Sequence, residues 1–334
     1  MKGLKNIRAR FEYLGALGVC RLIGSMKRSS LASFSRGIGW IMYHLPGFGS
    51  LCVENIRAAF PEMSEKEVRA TALRSIQNLL LTLCEFFWIK RHPDEFESLI
   101  DTEHCRDCCL KGLEKTADGT GAILVTPHLG NWEFAGRTLS TVFKLRMATV
   151  VRTARNPYLD RLVSDGRRAG DVKIIYSKGA ARAMNHAIDD GYTVGILIDQ
   201  NTRIRDGGIF VKLFGIPVPV SRAPAALARS KKRFVAIGTV LRRGDRFEAI
   251  LRELPKPASE YESDEALIQA LTDVTEEFIR MAPDQYLWMY KRFQHIPPDA
   301  DEATRKRYPS YARVPGANFF SLAAKAKRRA EKDM

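Results

Sequence analysis

The most regular alternation of apolar and polar positions follows Pro61-Glu62-Met63-Ser64. Val68, Leu73, Ile76, Leu79, Leu80, Leu83 and Phe87 recur at helical spacing, which predicts a long helix ending near Trp88. Ser64 and Glu67 have the spacing of a capping box at its start. In the last turns apolar residues spread around most of the circumference, as suits a core helix or one facing a lipid groove. From residue 121 the pattern shortens to the runs GAILVT, MATVVR, VKII, TVGILI, RFVAIGTVL and RFEAIL, separated by helix-like stretches such as Asn156 to Arg168 and Ala180 to Asp189. This alternation predicts an α/β fold, a central, mainly parallel mixed sheet flanked by helices and preceded by N-terminal helices.

The entry to the chain differs from both patterns. FEYLGALGVCRLIGSM and LASFSRGIGWIMYHLPGFG are apolar and glycine-rich between basic residues. Residues 1–40 carry eight Lys/Arg against Glu12 alone, and residues 303–334 carry nine against Glu331 and Asp333, within a net charge of +15. The middle of the chain is therefore close to neutral, and the partner of the two ends is an anionic surface. Basic residues beside apolar ones fit a membrane interface, whereas no RNA or DNA motif accompanies the charge, so no nucleic acid is expected. A first core helix with solvated flanks is the plainer alternative. Arg21 and Glu85 interrupt the two longest apolar runs, so a transmembrane span is not required and no secretory peptide is evident. The chain divides into a basic apolar membrane-interface segment over 1–50, a main domain over 51–300 and a basic C-terminal tail over 301–334.

The six cysteines are expected as free thiols. Cys105, Cys108 and Cys109 with His104 contain one CxxC pair, but no second pair follows to complete a tetrahedral site, so no metal is expected.

Chemistry concentrates in Ala122 to Gly136, a strand, a turn and a helix start containing Thr-Pro-His128-Leu-Gly-Asn-Trp-Glu133. Gly130 allows the turn and Asn131 is placed to cap the helix. On one regular helix, residues five apart would point roughly 140° apart. With His128 on the strand end and Glu133 in the first helical turn, the two can converge at the carboxyl edge of the sheet. Such a pair would let the imidazole take a hydroxyl proton while the carboxylate fixes its tautomer, and the helix N-terminus would favour a developing oxyanion. A structural histidine near a capping glutamate satisfies the same spacing. Asp199, after TVGILI, reads as a substrate contact or a turn residue, Arg152 as a ligand-binding or a solvated arginine, and Trp132 as core or pocket lining.

HLGNWE resembles the H-x4-D/E motif of the lysophospholipid acyltransferase superfamily, and in this form the bacterial lipid A late acyltransferases. Asn55-Ile56 with Ala59-Phe60-Pro61 resembles the family's early element, and Arg152 with Asn156-Pro157-Tyr158-Leu159-Asp160 its R-x-x-x-N-P-x-L-D segment. Asp199-Gln200, Phe210 to Gly215 and Trp288-Met289-Tyr290-Lys291-Arg292-Phe293 follow in order, although Tyr290 and Lys291 stand where the family has His and Arg. The resemblance implies an acyltransferase domain over 51–300 with His128 as base and Glu133 as its orienting carboxylate. Arg152, Asn131, Trp132, Asn156 and Asp199 would bind substrate, with an apolar groove near Trp132 for the donor chain. The implied reaction moves a fatty acyl group from acyl carrier protein or coenzyme A to a hydroxyl of a lipid A precursor. It takes place at the cytoplasmic face of the inner membrane, needs no cofactor and forms no acyl-enzyme. Absence of a G-x-S-x-G elbow, a G-x-G-x-x-G turn and a Walker A loop agrees with direct transfer. Rival readings are transfer to a glycerophosphate-type or other membrane lipid, and a basic membrane- or nucleic-acid-binding protein without catalysis.

Overall fold

The computed structural model describes residues 2–168, 172–176 and 180–321, with side chains from residue 7 onward. Four helices come first: α1 (Lys2–Ser25), α2 (Arg28–His44), α3 (Gly49–Ala59) and α4 (Glu65–Trp88). The capping box that opens α4 is formed, with Glu67 N donating to Ser64 Oγ and Ser64 N to Glu67 Oε2 at 2.8 Å. Next come α5 (Phe96–Leu99), β1 (Ile100–Asp101), α6 (Glu103–Lys115), β2 (Ile123–Thr126), α7 (Trp132–Thr141), β3 (Met147–Val151), α8 (Pro157–Arg168), β4 (Val172–Tyr176), α9 (Ala180–Asp189) and β5 (Thr193–Leu197). The rest is β6 (Gly208–Leu213), β7 (Ile216–Ser221), α10 (Ala223–Ser230), β8 (Val235–Arg243), β9 (Arg246–Glu253), α11 (Asp264–Met281) and α12 (Glu302–Lys306).

The seven-stranded sheet has the order β1-β9-β8-β2-β5-β3-β4. Its pairs are parallel except for the β8–β9 hairpin, so the α/β mixed sheet expected from the short apolar runs is the fold. β2 lies in the middle with all four residues buried, as a strand covered by helices on both faces should be. The separate β6–β7 hairpin was not anticipated. Its turn residues Phe214 and Gly215 both have positive φ, 52° and 68°, as a two-residue turn between twisted strands requires. Phe214 holds that conformation while buried against Phe60 and Trp288.

The stretch expected as a tail is docked over its first part. Ser310 donates to Glu54, Tyr311 to Asn55, and Phe319 is buried against His295 and Phe210. Residues 322–334 of that stretch lie outside the described residues. The cysteines of α6 are buried, whereas His104 is turned outward to Glu248, at 3.3 Å.

Glu85, which interrupts the apolar run of α4, is 4% exposed. Its Oε2 accepts from Arg242 of β8 at 2.5 Å and from Asn131 Nδ2 at 3.0 Å. Arg242 also donates to Asn78, two turns earlier on α4. Asn131 caps α7 by accepting from Phe134 N. One buried ion pair therefore ties α4, β8 and the entry to α7 together. Removing one member of such a pair strands the other's charge. Glu85→Ala should cost about 3–5 kcal/mol in urea unfolding, whereas replacing Glu85 and Arg242 together by Met should return most of that loss.

Candidate active site

The turn between β2 and α7 is held by its own main chain. His128 O accepts from Leu287 N, Leu129 O from Thr239 Oγ1, and Gly130 O from Thr82 Oγ1. Gly130 N donates to Gln285 O and Asn131 N to Val240 O at 2.7 Å. Gly130 has φ +61°, and a Cβ there would lie 2.1 Å from Val240 O, so no other residue fits the turn. A loop with so many satisfied groups leaves little freedom to the side chain it presents.

That side chain is His128, 8% exposed. Asp199 Oδ1 lies 2.7 Å from its Nδ1, and Asp199 Oδ2 accepts from its main-chain N at 2.8 Å. The pairing follows from the sheet: β2 and β5 are parallel neighbours with Thr126 beside Leu197, and two further residues along each strand bring His128 beside Asp199. An ionised carboxylate only accepts, so Nδ1 carries the proton and Nε2 the lone pair. Nε2 faces the exposed residue Gln200, whose amide nitrogen is 3.5 Å away. The imidazole and the ring of half-buried Trp132 meet edge to face, with centroids 5.1 Å apart.

Burial alone would lower the His128 pKa, but the charge of Asp199, its hydrogen bond and then the charge of Glu133 together raise it above the ordinary value, against a smaller opposing effect of Arg167. Burial likewise pushes the Asp199 carboxyl up, and the charge of His128, the two hydrogen bonds from that residue and the charge of Arg292 outweigh it, leaving the pKa below the usual range. The phenol of Tyr286, buried over Asp199, is pushed well above its ordinary value by burial and then by that carboxylate. Arg292, 2% exposed, donates to Asn201 Oδ1 at 2.7 Å.

Glu133 does not reach the imidazole nitrogen. Its carboxylate accepts two hydrogen bonds from Arg167 of α8, at 2.6 and 3.0 Å, and acts on His128 through its charge. The place expected for Glu133 is occupied by Asp199. Asn131 is fully buried as cap and network member, not presented to a ligand. Asn156 caps α8 by accepting from Tyr158 N and donates to Ala9 O of α1, so the N-P-x-L-D segment anchors the first helix. Asp160 closes the preceding loop by accepting from Ala154 N at 2.7 Å. Arg152 is exposed beyond β3 and, among the described residues, makes no hydrogen bond or ion pair. Below Trp132 the expected groove is a slot of mixed character, lined by Phe86, Ile89, Glu133, Arg137, Arg167 and Val172 among others. Arg137 and Arg167 were not singled out from the sequence, since an arginine inside an amphipathic helix carries no signal of its own.

A buried His–Asp pair at the carboxyl edge of a mainly parallel sheet, with one ring nitrogen left to accept a proton, defines an α/β protein equipped for general base chemistry. The chain belongs to the bacterial lipid A biosynthesis acyltransferases, whose family profile matches residues 3–295. It is 25% identical over 288 residues to a lipid A biosynthesis lauroyltransferase of Escherichia coli K12, covering 78% of this chain and 90% of that protein. A lipid A biosynthesis palmitoleoyltransferase of the same strain is 25% identical over 256 residues, covering 74% of this chain and 79% of its own. A Shigella flexneri lipid A biosynthesis acyltransferase matches over the same extent.

The electrostatics of the pair can be tested directly. Followed by NMR, the His128 ring should titrate above about 6.5. Asp199→Asn leaves burial as the dominant influence and should bring the midpoint below that value; Glu133→Gln should lower it less. Because the folded pKa is raised, the stabilisation contributed by the His128 ring is complete below its unfolded value and is lost as pH rises through the folded one. Asp199→Asn should reverse that slope, because a folded pKa below the unfolded one makes stability rise with pH.

Proposed function

We propose that the chain transfers a fatty acyl group from an acyl thioester to a hydroxyl of a lipid A precursor. The observation that carries this reading is the imidazole of His128, with Nδ1 held by Asp199 and Nε2 left facing the exposed side of the sheet edge. The acceptor hydroxyl gives its proton to Nε2 as its oxygen attacks the thioester carbonyl. The tetrahedral intermediate collapses with cleavage of the carbon–sulfur bond, and the imidazolium returns the proton to the departing thiolate. Asp199 stabilises the imidazolium by direct contact and Glu133 by its charge, with Arg167 fixing the latter in place. The N-terminus of α7 adds positive potential where the carbonyl oxygen becomes negative. The donor is an acyl carrier protein or coenzyme A thioester, and an acidic carrier would be drawn to the basic ends of the chain.

Purified enzyme given either donor, and a lipid A precursor or a glycerophosphate-type lipid as acceptor, tests the reading, with products resolved by mass spectrometry. His128→Ala should abolish transfer, and Asp199→Asn should reduce it by about 10²–10⁴-fold. Glu133→Gln should cost less than Asp199→Asn. Transfer surviving in His128→Ala would defeat the assignment of the base, and exclusive use of the glycerophosphate lipid would move the acceptor.

The first two helices support a membrane surface as the place of work. No helix among the described residues is long and apolar enough to cross a membrane. Ile7, Phe11, Leu14 and Leu22 are nevertheless exposed along α1, and Phe34, Ile38 and Ile41 along α2 with Leu45 just past its end, each set at helical spacing. Arg8, Arg10, Arg21, Lys27 and Arg36 are exposed among them, with Glu12 the one acidic residue. Such faces bury apolar side chains in a lipid interface while their cations meet anionic headgroups, at the cytoplasmic surface of the inner membrane. Phe11→Glu combined with Ile38→Glu should weaken sedimentation with phosphatidylglycerol vesicles in low salt and abolish it in high salt, while transfer to detergent-dispersed acceptor persists. Wild-type protein should lose only part of its binding in high salt, because the apolar contribution is not screened.

A further inference from the structure

The slot below Trp132 contains a cation without a counter-charge. Arg137 lies one turn below Glu133 on α7 and is 8% exposed. Its Nε has no hydrogen-bond partner, and among the described residues its guanidinium makes no hydrogen bond and no ion pair. The contact that does face it is the ring of Phe96, 4.8 Å from its Cζ. The neighbouring charges offer no relief, because the carboxylate of Glu133 is engaged by both arms of Arg167. The slot therefore carries one surplus positive charge, enclosed by Phe86, Ile89, Phe134 and Val172.

Taking a guanidinium from water without an acceptor is costly, and a cation–π contact offsets only part of that cost. A plain hydrocarbon chain in the slot would worsen the position, since methylene groups displace water and accept no hydrogen bond. The occupant that fits brings an oxygen acceptor with negative charge, for which a planar fork of donors is suited. We propose that the slot between α4, α7 and α8 is an oxyanion site, with Arg137 as its principal ligand and Arg167 at its mouth. It would receive a phosphate or a carboxylate borne by a lipidic molecule. The site stands independently of acyl transfer; assigning the anion to a substrate or product rests on the function proposed above.

The test uses the full chain and three probes: inorganic phosphate, octanoate and, as a neutral control, octanol. Thermal melting and titration calorimetry should show stabilisation by phosphate or octanoate and none by octanol. A response to phosphate alone assigns the site to a phosphate-bearing lipid, and a stronger response to octanoate assigns it to a fatty carboxylate. Arg137→Met should weaken anion binding about tenfold to a hundredfold. In anion-free buffer the same variant should melt above the wild type, because it removes an uncompensated buried charge. Arg137→Lys keeps the charge without the fork and should bind between the two. Equal anion binding by wild type and Arg137→Met, stabilisation of the wild type by octanol, or no response of the wild type to either anion would overturn the proposal. A lower melting temperature for Arg137→Met in anion-free buffer would do the same. Protein that binds anions through Arg137 yet transfers no acyl group would instead end the functional reading and leave the site in place.

Discussion

The carboxylate of Asp199 touches His128 twice, once at the ring and once at the main chain, and the orientation of the imidazole depends on that double contact. A buried carboxylate must be given donors, because leaving it bare in a low-dielectric interior is expensive. Here both oxygens are supplied by one residue on the adjacent strand. The main-chain contact fixes where the residue starts and the ring contact fixes where it points, so strand pairing is converted into the orientation of an imidazole. The turn reinforces this from the other side, since its carbonyls and amides are spoken for by β8, α4 and the segment around Gln285. A histidine on an ordinary surface loop would lose rotamer entropy on meeting substrate; this one has lost it on folding.

Three carboxylates surround the entry to α7, and each is matched differently. Glu85, behind the turn, is paired with Arg242 and serves packing. Asp199, beneath the ring, is matched by His128 and the charge of Arg292, which keeps the imidazole basic. Glu133, at the side, is held by Arg167 and acts at a distance. Arg137, in the slot next to that last pair, breaks the pattern, for no acid among the described residues answers it. Unbalanced buried charge is what stability alone would remove, and its presence inside a cavity beside the proposed base is the ground for proposing a ligand there.

Much of this was readable in advance for local reasons. The capping box at Ser64, the cap at Asn131, the positive φ of Gly130 and the buried strands each depend on residues a few positions apart, and each formed as expected. The partner of His128 did not yield to the same approach, because spacing along the chain weighs only neighbours in sequence. Glu133 is five residues away and looks available, yet α7 turns it toward α8. Asp199 is seventy-one residues away and becomes adjacent only through the β2–β5 register. A signal was present: Thr126-Pro127-His128 and Ile198-Asp199 both close buried runs that a parallel sheet would set side by side. Asn156 is the complementary case, since a polar side chain that caps one helix and ties down another looks in sequence like one that binds a ligand.

The same distinction between side chain and main chain explains how the segment Trp288 to Phe293 tolerates its departures from the family pattern. Its task is to brace the loop after Asp199, and it does so through Asn201. Asn201 N donates to the hydroxyl of Tyr290, Asn201 Nδ2 donates to the carbonyl of Lys291, and Arg292 donates to Asn201 Oδ1. Lys291 contributes only its carbonyl to this brace, so a change of side chain there leaves the contact intact. Tyr290 contributes an oxygen acceptor, a role that a hydroxyl fills as well as an imidazole nitrogen does. Arg292 is the member whose guanidinium is both buried and felt by the carboxylate of Asp199, and it is the one basic residue of the three that follows the pattern. Substitution is thus free where the main chain does the holding and constrained where a charge must reach the pair.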